Sequence, residues 1–281
     1  MKSNQNAIAS GESTGREELP GHDVCSGMPH WWDFTEYALL QMGQDQKAKQ
    51  VRDEAATAPK TNLDNLRNYI PASLLSPLVT PWSAAPGRRL RLLEPRAVAT
   101  PQAEAITHFA RAMGAARTGD VAAAQQDIDK LKELRATLEK ANQSYWAEQV
   151  EVQILAAQAW IAQGQGNQGR GAEVHARRSP TSKTAARKHI SMENRLYPMR
   201  ELLADMLLGY GQGAAALKEY EASMQAAPNR LRGFYSAAKA AEAAGDKKKA
   251  ATYMRSLAQL TRNADGDRPE IREAKQLLAS R

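Results

Sequence analysis

The clearest periodic signal along the chain is a set of small and bulky apolar positions that returns after 34 residues. Ala204, Gly211, Ala216 and Tyr220 are matched by Ala238, Gly245, Ala250 and Met254. That period predicts a pair of short helices joined by tight turns. A lone hairpin cannot bury its own apolar face, so neighbours must stack, and the expected fold is an all-α solenoid of helical hairpins. Gly211 and Gly245 are expected to turn the chain between the two helices of a unit, where a positive φ is needed. Asp246 is placed to cap the helix that follows.

Less complete copies lie upstream. The stretch from Trp31 to Ala56 carries Trp32, Leu39, Gly43 and Ala48 in the same relative places, and Ile106 to Leu138 carries Ala112, Ala115, Gly119, Ala124 and Ile128. Tyr145 to Asn167, with Leu155, Ala159, Ala162 and Gly166, supplies only a first helix. The turn glycines fall at 43, 119, 166, 211 and 245, at intervals of 76, 47, 45 and 34 residues. Intervals near 45 imply helices longer by about one to two turns, and 76 leaves room for a further unit. The expected organisation is a tail or repeat remnant at 1–29, degenerate hairpins over 30–166, a basic irregular segment at 167–190, repeats over 191–276 and a tail at 277–281.

Leu203, Ala204, Leu207, Gly211, Ala216, Tyr220, Ser223 and Pro228 in one unit, with Phe234, Ala237, Ala238, Ala241, Gly245, Ala250, Met254 and Leu257 in the next, carry a family likeness. The chain resembles the tetratricopeptide (TPR) repeat proteins, and a bacterial group of them, over most of residues 30 to 276. Two positions depart from the pattern: Arg200 stands in place of the usual first aromatic, and the second unit has no closing proline. The resemblance implies an inner face formed by the first helix of each unit, suited to an extended peptide or a partner helix. Mapped onto this chain, that face takes Asp33 and Tyr37, Phe109 and Met113, Gln153 and Trp160, Glu201 and Asp205, then Tyr235, Lys239 and Glu242. Such a lining is mixed in polarity, which suits a peptide or helix better than a nucleic-acid track of repeated cations and stacking rings.

Charge changes the picture less than its total suggests. The net charge is +7, but residues 166–190 contribute +5 and residues 70–100 contribute +3, which leaves −1 for the rest. Those two segments are also where the repeat pattern fails. After Gly166 no apolar stripe follows, and Pro71, Pro77, Pro81, Pro86, Pro95 and Pro101 break any helix over 70–101. Both read as irregular linkers. For 167–188, a neighbouring reading frame back-translated with G/C-rich codons gives an amphipathic helix and a loop, so a shifted frame is one expectation there and for 72–93. An Arg/Ser-rich surface loop and a nucleic-acid or anionic-membrane arm are the others.

The chemistry of catalysis is thinly represented. His22, His30, His108, His175 and His189 occur singly, and Cys25 is the one cysteine, so no metal or cofactor site is expected. Asp127 and Asp129 are expected to be solvated charges on different faces of a helix. Residues 164–171 lack the Lys-Ser/Thr ending of a phosphate loop. No apolar run is long enough to cross a membrane. Residues 3–12 read as a short helix that either belongs to a preceding repeat or frays as a tail. The chain as it stands is expected in the cytoplasm, and in the periplasm if a leader has been lost. The leading expectation is a non-catalytic scaffold that binds a protein or peptide. A nucleic-acid or acidic-surface binder that uses 70–100 and 166–190 is the alternative, and an enzyme is disfavoured.

Overall fold

A computed structural model describes residues 28–57, 101–167 and 198–279. The readings made for residues 3–12, Cys25, the two basic segments and the reading frame at 72–93 and 167–188 lie outside the described residues. Ten helices are present among those described, and no strand. They are α1 (Met28–Gln41), α2 (Asp45–Thr57), α3 (Pro101–Arg117), α4 (Val121–Lys140), α5 (Ser144–Gly164), α6 (Met199–Gly209), α7 (Gly213–Ala226), α8 (Leu231–Ala243), α9 (Lys247–Leu260) and α10 (Pro269–Ala279).

One turn geometry recurs at six helix ends. Gly43, Gly119, Gly166, Gly211 and Gly245 all have φ between 69° and 82°. The residue after each glycine donates its N–H to the carbonyl five residues earlier, as in Gln212 to Leu207 at 2.9 Å and Asp246 to Ala241 at 2.8 Å. This left-handed closure satisfies the carbonyls that a helix end leaves unpaired. At the sixth end, between α4 and α5, Asn142 takes the glycine's part at φ 56°, and Gln143 donates to Leu138. After five of these closures the next helix starts within two residues, and Asp120 and Asp246 cap theirs by accepting the N–H of Ala123 and Lys249.

Between Gly119 and Gly166, α4 and α5 have 20 and 21 residues, against 14 and 13 for α7 and α8 between Gly211 and Gly245. Each long helix therefore gains close to two turns, which accounts for the 47-residue interval.

Successive helices pack on one another from α3 through α10. Leu202 and Met206 of α6 join the core of α3 to α5. Ala204, Ala216, Leu217, Tyr220, Ala237, Ala240 and Ala241 form the next cluster, and Leu231, Ala238, Met254, Leu257 and Ile271 the one after it. Alanine lines the contacts because helices in close approach have no space for more; Ala204, Ala216 and Ala238 are each 0% exposed.

Three details differ from the sequence reading. Pro101, counted among the helix breakers, is the first residue of α3, where its missing N–H costs nothing. The helix α10 runs to Ala279, and Leu277 packs on the third cluster, so the final helix extends past residue 276. Spatial order also differs from chain order, because the α1–α2 hairpin lies against residues 230–231 and 264–271.

Candidate functional site

The polar residues that interrupt the apolar stripes of α6 and α8 meet in one seam. Glu201 and Asp205 stand four residues apart, on one face of α6. Arg230, just before α8, donates from Nε to Glu201 Oε1 at 2.8 Å, while its Nη2 lies 3.5 Å from Oε2 and its Nη1 donates to Tyr37 Oη of α1 at 2.8 Å. Burial pushes the Glu201 carboxyl upward and Arg230 pulls it back. Burial works against the charge of Arg230 too, but Glu201 and Tyr37 outweigh it and hold the guanidinium above its ordinary value. The bidentate geometry describes an ionised pair.

Asp205 has three partners. Tyr220 Oη donates to Oδ1 at 2.5 Å, Arg232 Nη2 donates to Oδ2 at 2.6 Å, and Arg117 Nη1 lies 3.8 Å from Oδ2. Burial raises the Asp205 carboxyl to about 7; the Tyr220 hydrogen bond and Arg117 oppose that rise, and Glu201 adds to it. Burial and the Asp205 charge hold the Tyr220 phenol well above its ordinary value, so it serves as a donor. Burial, with Arg117 adding to it, lowers Arg232 to about 10, still protonated at neutral pH. Arg117 itself stacks its guanidinium 4.4 Å from the centroid of the Trp160 ring on α5.

Beyond Arg232 the seam continues along α8. Tyr235 Oη donates to Glu273 Oε2 of α10 at 2.9 Å, and Lys239 pairs with both Glu273 and Glu242. Glu242 is exposed.

Of the residues expected on an inner face, Tyr37, Trp160, Glu201, Asp205, Tyr235, Lys239 and Glu242 therefore fall along this seam. Phe109 and Met113 do not. They are 1% and 0% exposed inside the first core, because α3 packs against both α4 and α5 and has little free face. Gln153 is also buried. Asp33 lies on α1, and its side chain is outside those described.

Several partners escaped the sequence reading. Arg117, Arg230, Arg232, Tyr220 and Glu273 complete the seam, and the usable signal was the pair of carboxylates on a helix face that had to be covered, since buried carboxylates need cations. Asp127, expected in solvent, is instead 6% exposed. It accepts from Arg111 Nε at 3.1 Å, and its Oδ1 lies 2.7 Å from His108 Nδ1. The reason is its place beside Ala124, Ile128 and Leu131 on the stripe of α4 that packs on α3. Asp129, two residues on, is exposed and accepts from Lys132.

Among the described residues no group of three or more His, Cys, Asp or Glu side chains is arranged to hold a metal ion, and no helix is long and apolar enough to cross a membrane. Compared with known proteins, the chain matches no protein-family model, no curated protein and no solved structure. The meaning of the seam rests on its own geometry.

Proposed function

We propose that the chain is a non-catalytic TPR-type scaffold, in which stacked helical hairpins present the faces of α5, α6 and α8 to a peptide or a helix of a protein partner. The observation that carries this reading is the seam itself. Trp160, Asp205, Tyr235 and Lys239, from α5, α6 and α8, lie in two sets of contacts, Trp160 and Asp205 with Arg117 and Arg232, and Tyr235 and Lys239 with Glu273. Of these residues Tyr235 and Lys239 are partly exposed, Glu242 beside them is exposed, and they offer aromatic surface and charge for side-chain selectivity to an extended ligand. Pairing within the seam keeps these long side chains in place before binding, which lowers the entropy lost on association.

The test is affinity capture from the native host with the full, frame-checked gene, followed by mapping of the recovered protein to a binding segment as a synthetic peptide. Binding of that peptide should weaken with Lys239→Ala or Tyr235→Ala and stay unchanged with Lys132→Ala, which alters an exposed residue of α4. Recovery of nucleic acid alone, or a peptide insensitive to both seam variants, overturns the reading.

A further inference from the structure

The α1–α2 hairpin has a small core of its own, in which Leu39, Leu40 and Ala48 pack with Met42 and Val51. Across the hairpin, Trp32 Nε1 donates to Glu54 Oε1 at 2.8 Å. Its seat on the rest of the chain has a different character. The first N–H of α8 has no carbonyl of its own helix to meet; Gln41 Oε1 of α1 accepts it, from Leu231, at 2.9 Å. In return Asp265, between α9 and α10, accepts the first-turn N–H groups of α2 from Gln46 at 3.0 Å and Lys47 at 3.3 Å. Each side finishes a helix end of the other. Arg268 adds a two-point pair to Asp45, with Nε donating to Oδ2 at 2.8 Å and Nη2 to Oδ1, and Asp265 N–H donates to Gly43 O at 3.2 Å. Apolar contact enters at Gly43, which lies close against Ile271 and Ala264.

We propose that the α1–α2 hairpin is a detachable clasp, seated on the N-terminal ends of α8 and α10 by helix caps and an ion pair, whose release uncovers Arg230 and the first turn of α8. Only the use of the uncovered surface by a partner rests on the protein-binding reading; the clasp itself does not. Two physical features support separate opening. The hairpin's core is distinct from the cluster of α8 to α10, so it can leave without dismantling a shared apolar centre. Its seat is made mainly of polar contacts, exposed between Asp265 and α2 and partly buried at the Arg268–Asp45 pair, whose side chains are 11% and 25% exposed, so water can replace them from the rim at less cost than exposing a core.

Hydrogen exchange read by mass spectrometry on the full chain tests this directly, with wild type, Asp45→Asn, Arg268→Gln and the double variant, each at low and high ionic strength. Amides of α1, α2 and Leu231 should exchange about tenfold faster in each single variant, equivalent to 1.4 kcal/mol of opening. The double variant should add little beyond either single, since both remove one pair. High salt should accelerate the same peptides in the wild type, while α3 to α5 stay unchanged. Exchange in α1–α2 that ignores both variants and salt overturns the clasp, and so does acceleration of every helix together, which would make the hairpin part of one cooperative unit. The salt series on the wild type decides the matter if a variant fails to fold. With no partner present in the experiment, its failure leaves the scaffold reading standing, and loss of the scaffold reading leaves these exchange data intact.

Discussion

Arg230 and Glu201 meet at two points out of water, with side chains 9% and 1% exposed and a 2.8 Å bond between Nε and Oε1. The pair spans 29 residues of sequence and fixes the start of α8 against α6. Breaking it from one side leaves a buried charge unmatched. Glu201→Leu should therefore destabilise the fold by roughly 3 to 5 kcal/mol, whereas Glu201→Leu combined with Arg230→Met should restore much of that loss. Urea unfolding of the two singles and the double gives the comparison. A Glu201→Leu loss within about 0.5 kcal/mol, the range of ordinary surface changes, would mean that the pair is hydrated.

Asp205 gives a pH dependence with a definite sign. Burial lifts its carboxyl from the ordinary 3.8 to about 7 in the folded chain, so the folded state holds a proton that the unfolded state has released. Its contribution to stability is complete below about pH 4 and is lost as pH rises to about 7. Asparagine cannot titrate. The melting temperature of the wild type minus that of Asp205→Asn should fall steadily from pH 4 to 7 and level off above 7. A difference that rises over that window would show that Arg117 and Arg232 hold the carboxylate ionised instead.

The hairpin turns could be read from the sequence because each depends on one local requirement. A left-handed residue at a helix end selects glycine, and all five glycines singled out by spacing have positive φ. Asn142 meets the same requirement with the next most tolerant residue, which is why α4 and α5 joined without a glycine to mark them. The seat of α1–α2 left no such trace. Gln41, Asp45 and Asp265 are common turn and surface residues, and their partners lie about two hundred residues away. Phe109 and Met113 were misplaced for a related reason: periodicity marks the face of α3 that packs on α4, but burial of the remaining face by α5 is a tertiary fact.

Gly43 and Gly245 separate the two costs of replacing a turn glycine. At Gly245, φ is +79° and a Cβ would meet nothing within 4 Å, so Gly245→Ala should cost about 1 kcal/mol through backbone strain alone. At Gly43, φ is +69° and a Cβ would stand 2.5 Å from Ile271 Cδ1 and 3.1 Å from Ala264 Cβ. Gly43→Ala should therefore cost more than Gly245→Ala and should raise exchange in α1–α2 first. Thermal melts of equal size for the two variants would mean that the hairpin shifts off α10 without penalty.

Ala216 tests the register of the repeat itself. It is 0% exposed and packs with Tyr220, Ala237, Ala240 and Ala241 where α7 meets its neighbours. The larger side chain of Ala216→Leu has no room there and should cost about 1 to 3 kcal/mol by overpacking. Ala215, one residue earlier, turns its side chain to solvent, and Ala215→Leu should change stability by no more than about 0.5 kcal/mol. The two substitutions alter composition and helix propensity identically, so denaturant midpoints that differ between them isolate packing. Equal midpoints would place the contact between α7 and α8 on another face of α7, and with it the alignment of Ala216 to Ala250 that defines the 34-residue spacing.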